Sequence, residues 1–282
     1  METISSPADL RGRVRPALQA GKTIGFVPTM GALHEGHASL IRRARTENDL
    51  LVVSVFVNPA QFGPTEDLDR YPRDVPRDTA LCEREKVDLL FLPRVADIYP
   101  PGFDTFVAPG RAAEGLCGAS RPDLFRGAAT VVLKLFNIVS PTRAYFGEKD
   151  YQQLAVIRQM ATDLDLDVEI VPCPTVREAD GLAMSSRNAL LSPGGREAAA
   201  VLSRALREIA RTRANGERRV SALRERGLAV LGAEPAFTPE YLEIRDAGTL
   251  DPIETCDRPA VALVAGRIGS VRLIDNVRLP CD

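Results

Sequence analysis

Apolar residues in the first 175 positions fall into short unbroken runs, separated by stretches with helical spacing. Residues 23–27 and 50–57 (LLVVSVFV) are continuous and rich in β-branched side chains, which predicts strands buried on both faces. Residues 88–92, 143–146 and 167–171 are further strand candidates. Between them, 38–47, 74–86, 130–139 and 151–164 read as helices. In 130–139, Val131, Val132, Leu135, Phe136 and Val139 recur at three- and four-residue spacing, so one face is expected to be buried. Strands alternating with helices imply parallel βαβ units, and so an α/β fold with a doubly wound, Rossmann-like sheet. Ligands of such sheets lie beyond the carboxyl ends of the strands, which directs attention to the loops after Val27, Val57, Phe146 and Val171.

The pattern changes near residue 193. Pro193 opens an Ala-, Arg- and Glu-rich helix to about residue 213, and an Asn215-Gly216 turn leads to a second helix over 218–231. Strand-like runs follow at 241–244, 261–264 and 271–274. Two domains are expected: residues 1–176 as the Rossmann-like domain, and 177–282 as a small α+β domain acting as a lid. Arginines crowd the stretch from Arg204 to Arg226. There Leu202, Leu206 and Ile209 form an apolar stripe, Glu208, Glu217 and Glu225 alternate with the arginines, and no aromatics are available to stack bases. That combination describes a solvated helix face.

Composition narrows the function classes. Lys plus Arg number 36 against 38 Asp plus Glu, a formal charge of −2, which argues against a dedicated nucleic-acid binder. Hydrophobic residues at 45% and charged residues at 26% describe an ordinary globular chain of 282 residues. The five cysteines are scattered without a C-x-x-C, so a reducing compartment fits best. No apolar run approaches the ~20 residues of a bilayer span, and the first ten residues have neither a basic start nor an apolar core. A cytoplasmic protein without a membrane partner is expected.

Both histidines of the chain, His34 and His37, lie in the loop after the first of these strands, within PTMGALHEGH. Side chains three apart at a helix start share a side, and the helix N-terminus supplies free N–H groups that favour phosphate. Gly31 and Gly36 allow a close backbone approach. A zinc pair on a helix would be spaced i, i+4 and needs a third ligand that is missing here. Phosphate binding and stabilisation of displacement at phosphorus is the better use of two imidazoles. Gly147-Glu148-Lys149-Asp150 follows another strand; Lys149 is a point charge suited to phosphate, Asp150 could cap the next helix, and Gln153 lies one turn on. Thr175-Val176-Arg177 and Met184-Ser185-Ser186-Arg187 follow the last strand of this domain, where two hydroxyls and a guanidinium make an anion clamp. Gln61, in NPAQFG, offers donors and an acceptor to a hydroxy acid.

A strand leading to His-x-Gly-His, with a later Met-Ser-Ser-Arg, resembles the nucleotidyltransferase superfamily. The longer strings PTMGALHEGH, FVNPAQFG, TVVLKLFNIV, YFGEKDYQQL and TVREADGLAMSSRN, in that order, resemble the pantoate–β-alanine ligases (pantothenate synthetases). The likeness spans residues 23–188 and continues weakly to the C-terminal end. It implies ATP-dependent amide formation between pantoate and β-alanine through a pantoyl-adenylate, with release of AMP and diphosphate. It also implies Mg²⁺ and a homodimer. By the same likeness ATP would be held by Met30, Gly31, Ala32, Leu33, His34, Glu35, Gly36 and His37, by Gly147, Glu148, Lys149 and Asp150, by Val176, and by Met184, Ser185, Ser186 and Arg187. His37 would be the proton donor, with His34 and Lys149 as catalytic partners. Gln61 would serve pantoate and β-alanine, and Gln153 pantoate. Asp78 matches a Mg²⁺-associated acid of relatives, although its neighbour is Arg77 where relatives often carry an acid. Leu124 stands where relatives commonly have His, in a loop whose Arg121 fits a phosphate contact. A pantoate carboxylate is ionised at neutral pH and needs no base, so positioning and charge stabilisation carry the first step. No Asp or Glu in the motifs is an evident base for the amine of β-alanine, and the sequence leaves that base unassigned.

Overall fold

A computed structural model describes residues 1–64 and 66–281. Its contacts divide the chain into two units: Met1–Glu148 with Val156–Pro174, and Lys149–Ala155 with Thr175–Asp282. The division after Pro174 lies two residues before the expected boundary. Nothing in the sequence marked the short piece Lys149–Ala155 as part of the second unit.

The first unit contains the strands β1 (Glu2–Ile4), β2 (Ile24–Thr29), β3 (Leu50–Val55), β4 (Leu89–Phe91), β5 (Arg143–Gly147) and β6 (Glu169–Cys173). They form one sheet in the order β1-β4-β3-β2-β5-β6, with every pairing parallel. From β2 the chain winds outward through β3 and β4, then returns to β5 on the other side of β2. The switch point of this Rossmann-like sheet therefore lies between β2 and β5, the place where open α/β sheets bind ligands. The continuous apolar runs are buried as expected: Ile24, Phe26, Val27, Leu51, Val52 and Val53 are fully enclosed.

Among the described residues six α-helices precede β5: α1 (Pro7–Gln19), α2 (Glu35–Glu47), α3 (Val75–Arg84), the short α4 (Val95–Ile98) and α5 (Leu116–Ser120), and α6 (Leu124–Val139). A seventh, α7 (Tyr151–Asp163), follows β5. The sequence pattern missed β1 and α1. The strand has only three residues, and the helix contains Gly12 and Pro16 and buries only Leu10 and Val14, too thin a stripe to read. It also started α6 six residues late, because Gly127, Ala128 and Ala129 are buried without marking a period. Gly127 is required there: a Cβ would lie 2.0 Å from the carbonyl oxygen of Ala60, so the helix sits directly against the turn Pro59–Gln61.

The second unit carries α8 (Pro193–Ala214), α9 (Val220–Gly232) and an antiparallel sheet of β7 (Phe237–Asp246), β8 (Ala260–Ile268) and β9 (Val271–Leu279). The strands are longer than the expected cores of 241–244, 261–264 and 271–274, since antiparallel pairing extends through partly polar positions. Leu202, Leu206 and Ile209 bury against Leu223, Leu242, Ile244 and Val264, the stripe read from the sequence. Arg204, Arg211, Arg218, Arg219 and Arg226 are exposed, several paired with acids, as a solvated face requires. Arg213 is the exception, buried with a hydrogen bond to the Cys256 carbonyl. All five cysteines are free thiols. Among the described residues no helix is long and apolar enough to cross a membrane.

Candidate active site

The loop leaving β2 is built from unusual backbone. Gly31 has φ +83° and Ala32 φ +49°, both left-handed, and a Cβ on Gly31 would lie 3.0 Å from both Asp78 Oδ2 and Val55 Cγ1. Thr29 Oγ1 donates to the Ser54 carbonyl and accepts from Gly31 N–H at 3.2 Å, tying the loop to the end of β3. Two further amides point at one carboxylate: Ala32 N–H donates to Asp78 Oδ2 at 2.9 Å and Leu33 N–H to Oδ1 at 2.7 Å. Asp78 sits on the first turn of α3 and is 1% exposed. Burial pushes its carboxyl above the usual range, against the opposing pull of these two amides.

This geometry corrects the expectation that Asp78 holds Mg²⁺. Both oxygens are already engaged by main-chain donors, and among the described residues no cluster of three His, Cys, Asp or Glu could hold a metal ion. Arg77, on the same turn, is exposed. The residues present do not fit a protein-anchored Mg²⁺ site.

His34 and His37 cap α2 reciprocally. His34 precedes the helix as its N-cap, and its Nδ1 accepts from Gly36 N–H at 3.2 Å; His37 Nδ1 accepts from His34 N–H at 3.3 Å. The ring centroids are 4.1 Å apart. A hydrogen on either Nδ1 would face an amide donor, so each ring carries its hydrogen on Nε2. The two imidazoles lie together at the helix start, as their spacing predicts, and both rings have a capping role that the sequence did not show.

Gln61 lies in the turn after β3 and is 6% exposed. Its Oε1 accepts from Asn58 Nδ2 at 3.0 Å. Arg121, expected to contact phosphate, is instead committed locally. It forks onto Glu66 at 2.7 and 2.5 Å and donates to the Gln61 carbonyl at 3.1 Å, so its charge is neutralised and it braces this turn. Charge type alone could not separate the two roles. The pairing is with a residue 55 positions away.

Gly147 and Glu148 stand at the end of β5, beside β2, while Lys149 begins the second unit. Lys149 is mostly buried, 3.8 Å from Asp150 Oδ1, and its carbonyl accepts from Asn276 Nδ2 at 2.8 Å. Gln153 is half-buried on the first turn of α7. Val176 and Met184 are brought side by side: Met184 N–H donates to the Val176 carbonyl at 3.0 Å, and Arg177 pairs with Ala183 around the turn at Gly181, φ +94°. Ser185 Oγ caps the turn Ser186–Leu190 through Arg187 N–H at 3.3 Å. Arg177 forks onto Asp275 at 2.7 and 2.9 Å and holds this hairpin to β9. Asp275 and Asn276 were missed by the sequence reading, which had no motif in β9. Asn58 was within a quoted motif without a role, although Asn before Pro already signals a turn start.

The sequence model of the pantoate-beta-alanine ligase family matches residues 2–278. The pantothenate synthetase of Roseiflexus sp. (strain RS-1) is 58% identical over 276 residues, covering 98% of each chain. That of Thermotoga petrophila is 54% identical over 92% of each. Among solved structures, the pantothenate synthetase of Thermus thermophilus superposes with a TM-score of 0.95 at 49% identity, covering 99% of this chain and 100% of the other. The Francisella tularensis pantoate-beta-alanine ligase, complexed with beta-gamma ATP and beta-alanine, gives 0.81 at 35% identity over 98% and 97%. With the sheet order, the loop motifs and these likenesses agreeing along nearly the whole length, the chain belongs to the pantoate–β-alanine ligase family.

Proposed function

We propose that the chain joins pantoate to β-alanine in two steps driven by ATP. In the first, a pantoate carboxylate oxygen attacks the α-phosphorus of ATP; the bond to the bridging oxygen breaks, diphosphate leaves and pantoyl-adenylate forms. In the second, the amine of β-alanine attacks the acyl carbon, the acyl–phosphate C–O bond breaks, AMP leaves and the ammonium proton is lost to give the amide. The observation that carries this reading is the imidazole pair. Both rings are locked through Nδ1 at the N-terminus of α2, beyond the end of β2, with the ring hydrogen on Nε2. Such donors stabilise charge that builds on phosphate oxygens without reorganising during the step.

His37 is assigned as the donor to the departing diphosphate, with His34 beside it. Met30–His37, Gly147–Asp150, Val176 and Met184–Arg187 are assigned to the nucleotide, Lys149 and Arg187 supplying charge to its phosphates. Gln61 and Gln153 are assigned to pantoate, and Gln61 also to β-alanine. The second unit is assigned the part of a lid. Mg²⁺ is assigned to the nucleotide's own phosphates, since such ions commonly bind through substrate phosphates. The family likeness also supports a cytoplasmic homodimer, which sedimentation of the purified chain would test for its subunit number.

Isotope exchange tests the chemistry. Labelled diphosphate should enter ATP when pantoate is present and β-alanine absent, because the donors stabilise one transition state from both directions. A strict requirement for β-alanine would overturn the stepwise route. Exchange without pantoate would point to nucleotidyl transfer onto another acceptor.

A further inference from the structure

The amide of Asn58 has every hydrogen-bonding position filled. Its Oδ1 accepts from Tyr99 Oη–H at 2.8 Å and from Ala60 N–H at 3.3 Å; its Nδ2 donates to the Gly127 carbonyl at 3.1 Å and to Gln61 Oε1 at 3.0 Å. Ala60 N–H can only donate and the Gly127 carbonyl can only accept, so the orientation of Asn58 is settled by main chain. That orientation makes Gln61 turn its oxygen inward. Among the described residues no acceptor takes the Gln61 Nε2 hydrogens, although the residue is buried. The outcome is a side chain whose NH₂ group remains for a ligand, suited to a carboxylate or a hydroxyl oxygen.

The Tyr99 bond is the shortest of the four and comes from outside the turn. Its ring is fixed between Phe56, centroids 6.3 Å away, and Phe103, 5.0 Å away, and Lys134 Nζ lies 4.5 Å over the Phe103 ring. We propose that Tyr99 is a positioning residue for the pantoate subsite, its hydroxyl securing Asn58 so that Asn58 holds the Gln61 amide with its NH₂ group toward the substrate. The proposal rests on the assignment of Gln61 to pantoate. Burial also pushes the Tyr99 phenol up to about 12, which keeps it a donor at neutral pH.

The test is Tyr99→Phe, which keeps the ring stack and removes only the hydroxyl, compared with Gln61→Ala and with the double variant. Tyr99→Phe should raise KM for pantoate about five- to tenfold, the scale of one buried hydrogen bond, with KM for ATP unchanged. Gln61→Ala should raise pantoate KM further, and adding Tyr99→Phe to it should change nothing more, because both act through one amide. A proportional shift in both KM values together with a lower melting temperature would mean a purely structural role and overturn the proposal. So would a full Tyr99→Phe effect persisting in the Gln61→Ala background. Unchanged pantoate KM in Tyr99→Phe, with Gln61→Ala defective, would reject Tyr99 and leave the subsite standing. Unchanged pantoate KM in Gln61→Ala would reject the subsite itself, and the proposal with it.

Discussion

Replacing Asp78 by Asn separates loop anchoring from metal binding. The carboxylate accepts two amides of the loop that leads to the histidines, one on each oxygen. Asn keeps one acceptor and turns an NH₂ group toward the other amide, so one charge-assisted hydrogen bond is lost and two donors face each other. A hydrogen bond to a charged group is worth about 1.5–3 kcal/mol, and if that loss appears wholly in the transition state it slows the reaction about 10- to 150-fold. Global stability should move far less, because the substitution also removes a charge whose burial is unfavourable. kcat/KM for ATP should therefore fall within that range while the melting temperature stays near that of the parent. The measurement is initial-rate kinetics over ATP at several Mg²⁺ concentrations, alongside thermal melting. Recovery of full kcat/KM by excess Mg²⁺ would show that the carboxylate serves the metal, and a parental kcat/KM at all Mg²⁺ levels would show that the loop needs no anchor.

The same carboxyl fixes the sign of a pH effect. Its folded-state pKa is raised, so its contribution to stability is fully present below the unfolded value and is lost as pH rises through the folded one. Acidification should thus relieve the fold at this position while converting one acceptor oxygen to a hydroxyl and loosening the loop. Activity should fall on the acid side, above the usual carboxylate range, without a matching loss of melting temperature; Asp78→Asn should lack that limb. His34→Ala and His37→Ala should each slow diphosphate exchange by about 10²- to 10³-fold, the usual scale for one transition-state donor. His34→Ala should also cost about 1 kcal/mol in melting experiments because it removes the N-cap of α2, and near-parental exchange in either variant would remove the phosphate role. Gly127→Ala should destabilise by about 1–3 kcal/mol and raise pantoate KM, since its Cβ would press on Ala60 and Gln61; a parental melting curve would contradict that packing.

The parallel sheet was legible because its strands are buried on both faces and read as unbroken apolar runs, such as Leu50–Val55. The ends of those runs also placed the loops that carry His34, Gln61 and Lys149. What stayed illegible were pairings between remote segments. Asp78 and Arg121 were read as ligand-facing because a charged side chain in a loop or first turn looks the same whether its partner is substrate or protein. Their partners are the amides of Ala32 and Leu33, and Glu66, none of them adjacent in sequence. The network around Asn58 was hidden for the same reason: it draws on Tyr99 before α5 and Gly127 within α6.

These remote partners share one physical effect on the site. At His34 and His37 the acceptor nitrogen of each ring is occupied by an amide, and at Gln61 the acceptor oxygen is occupied by Asn58. Each of these side chains carries N–H hydrogens, Nε2–H on the rings and the NH₂ group of Gln61. Acceptors held by fixed protein donors keep these side chains in one orientation, and oriented N–H groups are matched to a triphosphate and a carboxylate, meeting charge at phosphorus without rearranging. The same arrangement makes these three residues poor bases. The ammonium of β-alanine must give up a proton before its nitrogen can attack; the Nδ1 of both histidines already accepts from a main-chain amide, and a carboxamide such as Gln61 is no base at neutral pH. The proton acceptor of the second step therefore lies outside this trio, and the pH dependence of amide formation from preformed pantoyl-adenylate should be unaltered when Gln61 is replaced by Ala.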